Sequence, residues 1–226
     1  MRKTLVILFI FLLGFQAKAQ WNLDSLLREL DAIQLPYNQV GFCIDRGFET
    51  VAIGREDLAD EWFSRAVGIG KSSEENDFIV ESFAFWASVK LNFGNYESAA
   101  EKIMEGKRYA DKGISDRVQL ILWASQSDYY ERIGQGDQAI RVRLKEIQLE
   151  RKTLDSNRLA TSLHNLGISY FNKKDYQKAD SLIKLAFYIN DKSENDYKRF
   201  QNMSILSVLQ GEMGNYHEAL KYDTLC

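Results

Sequence analysis

The side chains through which a chain of 226 residues could do chemistry are few here, and their spacing is unfavourable. Only two histidines occur, His164 and His217, far apart in the chain. Neither has a second histidine or a cysteine three or four residues on, the spacing that sets two metal ligands on one helix face. Gly134-Gln135-Gly136 lacks a third glycine, a preceding strand and a phosphate-loop lysine. No Gly-x-Ser-x-Gly nucleophile elbow is present. The paired acids Glu74-Glu75 and Asp60-Glu61 fall on polar turns and solvated helix faces, where solvation outweighs a general acid–base role. Asp191 to Asp196 lacks the glycine and the distant bidentate glutamate of a calcium loop. These residues predict a chain that is not an enzyme and needs no metal or cofactor.

Composition narrows the class further. Hydrophobic residues make up 45% of the chain, enough for a packed core, and a single proline leaves little to interrupt helices. The first nineteen residues read as a cleaved signal peptide. Arg2 and Lys3 form a positive start, Leu5 to Phe15 an apolar run, and Ala17-Lys18-Ala19 a small-x-small cleavage site before Gln20. That run is too short to span a bilayer, which needs roughly 20 residues. Lys and Arg number 29 against 32 Asp and Glu; without Arg2, Lys3 and Lys18 the basic count is 26 and the net charge −6. Such a surface has no electrostatic footprint for nucleic acid. No later segment is apolar enough for membrane insertion, so the mature segment is expected to be exported, periplasmic or otherwise extracytoplasmic. Export would permit a disulfide. Cys43 and Cys226 stand at opposite ends of the chain, however, and two free thiols, Cys43 buried, are the expectation.

The elements that position these residues are set by a repeat. Ala59, Ala99, Ala139, Ala179 and Ala219 recur every 40 residues. Twelve residues before each stands another small residue: Gly47, Ala87, Ser127, Gly167 and Ser207. Four residues earlier comes an apolar one: Cys43, Phe83, Trp123, Leu163 and Met203. This spacing predicts a helical hairpin per unit, the apolar and small residues sharing one face of the first helix. Small residues facing each other let the two axes approach closely.

Gly54, Gly94, Gly134 and Gly214 sit five before each alanine, where a left-handed helix C-cap belongs. Lys174 holds the fourth such place, which predicts a strained or differently closed turn. Asn95, Asp175 and Asn215 can cap the second helices, each followed by a tyrosine. Polar breaks at 72–76, 113–116, 155–157 and 191–196 separate one hairpin from the next. Ahead of the array, Leu23, Leu26, Leu27, Leu30 and Ile33 trace an amphipathic helix at 20–36 that would cover the first hairpin. Units are expected near 40–79, 80–119, 120–159, 160–199 and 200–226 of an array spanning 37–226. The last is incomplete, and its end at Cys226 suggests a piece of something longer.

Asn165-Leu166-Gly167, Tyr170, Asp175-Tyr176, Ala179 and Ala186 closely resemble the tetratricopeptide repeat. Trp86-Ala87, Gly94-Asn95-Tyr96 and Ala99 match it as well, as do Leu206, Gly214-Asn215-Tyr216 and Ala219. The unit from 120 departs most: Gly136 replaces the aromatic, and Arg143 and Glu146 occupy positions that are usually apolar. A rotated helix packing through Ile140, Leu144 and Ile147 would accommodate them. The resemblance implies an all-α, right-handed α-solenoid of antiparallel hairpins whose first helices line a concave face. Carried over by helix position, that face holds Ile44, Phe48, Ala84, Ser88, Leu91, Asn92, Ala124, Asp128, Glu131, Arg132, Thr161, His164, Ile168, Phe171 and Asn172. Phe48 and Phe171 are equally suited to packing against the next unit. A mixed groove of this kind fits a helix or an extended peptide of a protein partner. The long repeat behind a leader resembles the sensor portions of bacterial membrane histidine kinases and related regulators, in which a membrane helix and a signalling module follow. The implied role is a protein- or peptide-binding scaffold in the cell envelope, the sensor or interaction segment of a signal-transduction protein. A free periplasmic adaptor or assembly factor is the alternative.

Overall fold

The structure, a computed structural model, describes residues 24–225 except 154 and 194. The leader at 1–19, Leu23, Glu194 and Cys226 lie outside the described residues. Among the described residues every regular element is a helix. A short helix α1 at 24–32 precedes α2 (Pro36–Ala52) and α3 (Glu56–Ser72). Next come α4 (Asn76–Asn92), α5 (Tyr96–Ala110), α6 (Asp116–Arg132) and α7 (Gly136–Thr153). The chain continues through α8 (Ser156–Asn172), α9 (Tyr176–Lys192), α10 (Asp196–Glu212) and α11 (Tyr216–Leu225). Each even-numbered helix packs on the odd-numbered one that follows it, and consecutive hairpins stack through α3 on α4, α5 on α6, α7 on α8 and α9 on α10. The result is an α-solenoid of antiparallel hairpins.

The phased small residues explain the hairpin. Ala59, Ala99, Ala139 and Ala179 are fully buried. A Cβ placed on Gly47 would lie 2.5 Å from the Phe63 ring, and one on Gly167 would lie 2.5 Å from Ile183 Cδ1. At Gly167 the same carbon would also lie 3.4 Å from the Ala179 carbonyl oxygen, so the facing backbone itself is close. Hydrophobic side chains fill the space on either side of this crossing. In the first units they are aromatic, with Phe63 and Phe83 stacked on Trp86 at 6.4 and 6.3 Å. Leu163, Leu166, Ile183, Leu206 and Leu209 do the same work further along. Leu30 is buried against the first core cluster with Leu26, Leu27 and Ile33 beside it, which seats α1 on the first hairpin. Cys43 is free and fully buried there, and burial pushes its thiol up to about 11 despite the counteracting charge of Arg65.

The turns repeat as well. Gly54, Gly94, Gly134 and Gly214 take φ between 71° and 79°. In the turn after α4, Gly94 N–H donates to Leu91 O at 3.1 Å and Asn95 N–H to Lys90 O at 2.9 Å. Lys174 takes φ 61°, and its turn closes identically: Lys174 N–H donates to Phe171 O at 2.8 Å and Asp175 N–H to Tyr170 O at 2.9 Å. The missing glycine therefore changes the strain and not the path. Asn95, Ser115, Asp155, Asp175 and Asn195 each accept a backbone N–H with the side chain and cap a helix. Asn215 does not use its side chain that way; its amide donates to Gln210 Oε1 at 2.9 Å.

The third unit corrects one expectation. α7 is not turned to bury Leu144, which is 48% exposed, although Ile140 and Ile147 are buried. Arg143 and Glu146 keep the inward positions at 5% and 3% exposure. Their burial is tolerated because partners wait on the neighbouring helices. Arg143 donates from Nη2 to Asp128 Oδ1 at 2.7 Å and from Nε to Ser169 Oγ at 3.1 Å. Glu146 Oε1 accepts the Ser127 hydroxyl at 3.0 Å. Arg143 Nη1 is left buried without a partner, so the ions are only partly satisfied and add little net stability.

Two measurements check this reading of the fold. Gly167→Ala should lower stability by about 1–2 kcal/mol in thermal or denaturant melts, because overpacking outweighs the better helix propensity of alanine. Lys174→Gly should raise it by about 1 kcal/mol by relieving the left-handed backbone.

Candidate functional site on the first-helix face

The helices that open each hairpin, α2, α4, α6, α8 and α10, share one face of the array, and two clefts open there. The first, of about 470 Å³, lies between α2 and α4. Tyr37, Phe42, Phe48, Phe78 and Phe85 line it, with Asp45 and Glu81 among them. Tyr37 is 63% exposed and Phe48 38%, unusual for aromatic rings that have neighbours to pack on. Phe48 meets Phe85 edge-on at 5.4 Å and Phe63 at 5.7 Å, and Tyr37 lies 6.0 Å from Phe78. The rings are thus held in place while parts of their surfaces stay open. Glu81 is committed elsewhere, accepting both Arg117 Nη1 and Nη2 at 2.6 and 2.8 Å. Asp45 is exposed.

The second cleft, of about 400 Å³, follows from a change in packing. α4 lies along α6, whereas α6 and α8 barely meet directly and α7 fills the space between them. Leu120, Ile121 and Ala124 form one wall, and Thr161, Ser162 and Asn165 another. Asn195 and Lys198 of the α10 end complete the rim. Glu146 and Glu150 reach the cleft from α7, behind the first-helix face. Burial raises the Glu146 carboxyl to about 7, against the opposing pull of Arg143 and of the Ser127 hydroxyl. Burial also raises Glu150, with Ser162 and Arg158 pulling the other way.

The residues singled out by helix position divide sharply. Phe48 lies in the first cleft, and Ala124 and Thr161 line the second. Ile44 on α2 is nearly buried but lines the floor of the first cleft, whereas Leu91 and Ala84 on α4 are buried, Leu91 at 3% exposure. The cause is that α4 packs against α2, α3, α5 and α6, so it has little free circumference. Ser88 is half-buried, its hydroxyl donating to Ala84 O at 3.2 Å, and Asn92 and Arg132 are exposed at helix ends. Asp128 holds Arg143, and Glu131 Oε2 accepts from the Asn172 amide at 3.4 Å, so α6 and α8 are tied at their ends. Phe171 packs on Tyr176 at 5.7 Å, and Ile168 is half-buried. His164 Nδ1 lies 2.5 Å from the Asn202 side-chain amide, a hydrogen bond between α8 and α10. Burial lowers the His164 pKa, with the Asn202 contact opposing it, so the imidazole is neutral near pH 7. Helix position did not reveal Tyr37, Phe85, Glu150 or Lys198. The polar triplet Arg143, Glu146 and Glu150 at i, i+3 and i+7 was the available signal for the second cleft.

Among the described residues no cluster of three or more His, Cys, Asp or Glu is arranged to hold a metal, and no helix is long and apolar enough to cross a membrane.

The described residues form a tetratricopeptide-like solenoid, a fold that presents side chains along a helix face rather than in an enclosed pocket. No family model matches the chain. It is 26% identical over 177 residues to the response regulator aspartate phosphatase I of Bacillus subtilis, across 74% of this chain and 44% of that protein. The chain thus spans less than half the length of this relative. Among solved structures it is similar to a signal transduction ATPase of Pyrococcus horikoshii with a tetratricopeptide repeat sensor, at a TM-score of 0.70 and 18% identity over 82% of this chain and 28% of that one. A Rap protein complexed with competence and sporulation factor gives a TM-score of 0.70 and 16% identity, over 87% of this chain and 55% of the other.

The buried carboxylate of the second cleft yields a pH prediction. Below pH 4.5 Glu146 is protonated in folded and unfolded chains alike and costs nothing. As pH rises toward 7 the unfolded chain releases this proton first, so folding loses stability, and above 7 the loss is constant. Glu146→Gln keeps the Ser127 contact without the titration. The variant and the parent should melt together at pH 4, and the variant should become more stable by up to about 3 kcal/mol between pH 4.5 and 7.

Proposed function

We propose that the chain is a protein- or peptide-binding scaffold whose first-helix face receives an extended or helical segment of a partner. The observation that carries this reading is the α2–α4 cleft, where rigidly supported aromatic rings remain open to solvent. Aromatic side chains held in this way supply large contact area at little entropic cost, the usual make-up of a binding hot spot. The Rap protein complexed with competence and sporulation factor supports the idea that such an array can hold a small signalling ligand.

The finer reading is an exported sensor or interaction segment of a signal-transduction protein. It rests on the residues at 2–19, on the resemblance to envelope sensor regions, and on the sensor role carried by the Pyrococcus repeat region. A free periplasmic adaptor without a signalling module uses the same face and the same leader. The Bacillus relative favours a second reading, in which the chain engages a response regulator. Release of phosphate from an acyl-phosphorylated response regulator on adding the purified chain would support that reading, and an unchanged phosphate half-life would remove it.

Binding is tested by panning the chain from Gln20 onward against a random dodecapeptide display library. Selected peptides should lose about tenfold or more in affinity on Phe85→Ala or Tyr37→Ala, which amounts to at least one hot-spot contact. Unchanged affinities would place the peptide elsewhere and contradict the proposal. Export predicts that the mature chain in the cell envelope starts at Gln20, read by intact mass; retention of Met1 on a cytoplasmic product would contradict it.

A further inference from the structure

The second cleft carries more than a general affinity for peptides. Glu146 and Glu150 are four residues apart on α7, so both carboxylates lie on one helix face, and both border the gap between α6 and α8. Glu150 is 6% exposed, and its Oε2 is buried with no hydrogen-bond partner. An unpaired buried carboxylate oxygen is costly, and one that borders an open cleft can be satisfied by a donor entering from outside. The cations already present are turned to other tasks. Arg158 lines the cleft and its charge acts on Glu150, but its ion pair is with Asp155, Nε to Oδ2 at 3.3 Å. Arg143 is bound to Asp128 and Ser169, and although its field reaches Glu146 it does not border the cleft. Lys198 stands across the opening on the α10 side. Leu120, Ile121 and Ala124 give the cleft an apolar wall beside the carboxylates, against which the methylenes of a lysine or arginine can pack.

We propose that this cleft is a subsite for one basic side chain of the bound peptide, a lysine or arginine whose methylenes lie along Ile121 and Ala124 and whose cationic head pairs with Glu150. The inference rests on the peptide-binding reading above and adds the chemical identity of one recognised residue. Glu150 is the primary partner and Glu146 the secondary one, because Glu150, although Ser162 and Arg158 act on it, keeps Oε2 without a partner, whereas no oxygen of Glu146 is left so. An incoming cation also favours the ionised form of both acids, which burial otherwise disfavours.

The test uses the same dodecapeptide library. Peptides selected on the parent chain should share a lysine or arginine at one register. A synthetic peptide should weaken about tenfold when that residue is replaced by norleucine, the scale of one lost charge-assisted contact. Glu150→Gln, which preserves shape, should abolish the discrimination between the two peptides while the norleucine peptide still binds as before. A melting temperature near that of the parent shows that the variant is folded. Peptides that bind through the aromatic cleft without a shared basic residue would overturn the subsite and leave the groove reading intact. So would an undiminished preference for lysine in Glu150→Gln. Failure to select any peptide would remove the groove reading and the subsite with it.

Discussion

Close approach of two helix backbones, repeated every 40 residues, is the constraint on which the rest of this molecule depends. Where Gly167 faces Ala179 and Ile183, there is no room for even one added carbon. That contact fixes the hairpin, the hairpin fixes which face each helix turns outward, and stacked hairpins then place all first helices on one side. Because each unit buries itself only against its neighbours, the array needs no single central core. Each helix is also free to present whatever chemistry its open face carries. The aromatic cleft and the acidic cleft are two such local presentations on a common frame.

The acidic cleft shows how a departure from the pattern can be used. In the first two units the second helices α3 and α5 bury apolar and small side chains, and the neighbouring first helices α2, α4 and α6 meet directly. α7 instead sends Arg143, Glu146 and Glu150 inward. Arg143 joins Asp128 on α6 to Ser169 on α8, spanning helices that barely touch. The ionic bridge holds the gap at a definite width, and the carboxylates beside it give the gap a sign. Replacing the three by leucines would suit a solenoid better as a structural unit. The proposed binding function accounts for keeping a site of lower intrinsic stability.

Much of the frame was legible in the sequence because small residues and turn glycines leave a positional signature that needs no side-chain detail. The helical hairpins and the left-handed turns follow from spacing alone, whereas the closure of the Lys174 turn along the same path as the glycine turns does not. The face was less legible. Helix position treats a first helix as having one buried and one open side, yet α4 is packed by four neighbours, which removes Leu91 and Ala84 from the surface. Sequence pattern also assumes that charge points to solvent. That assumption placed Leu144 inside and Arg143 outside, and the structure reverses both, since Asp128, Ser127 and Ser169 come from other helices and no local rule anticipates them. Glu150 was hidden for the same reason.

The central claim is that partners are received on the first-helix face between α2 and α10. A structure of the chain bound to a selected peptide tests this most directly. The account predicts peptide density running across α2, α4, α6 and α8, with an apolar side chain against the open surfaces of Phe48 and Phe85 and a basic one against Glu150. Density lying instead along α3, α5, α7 and α9 would contradict it.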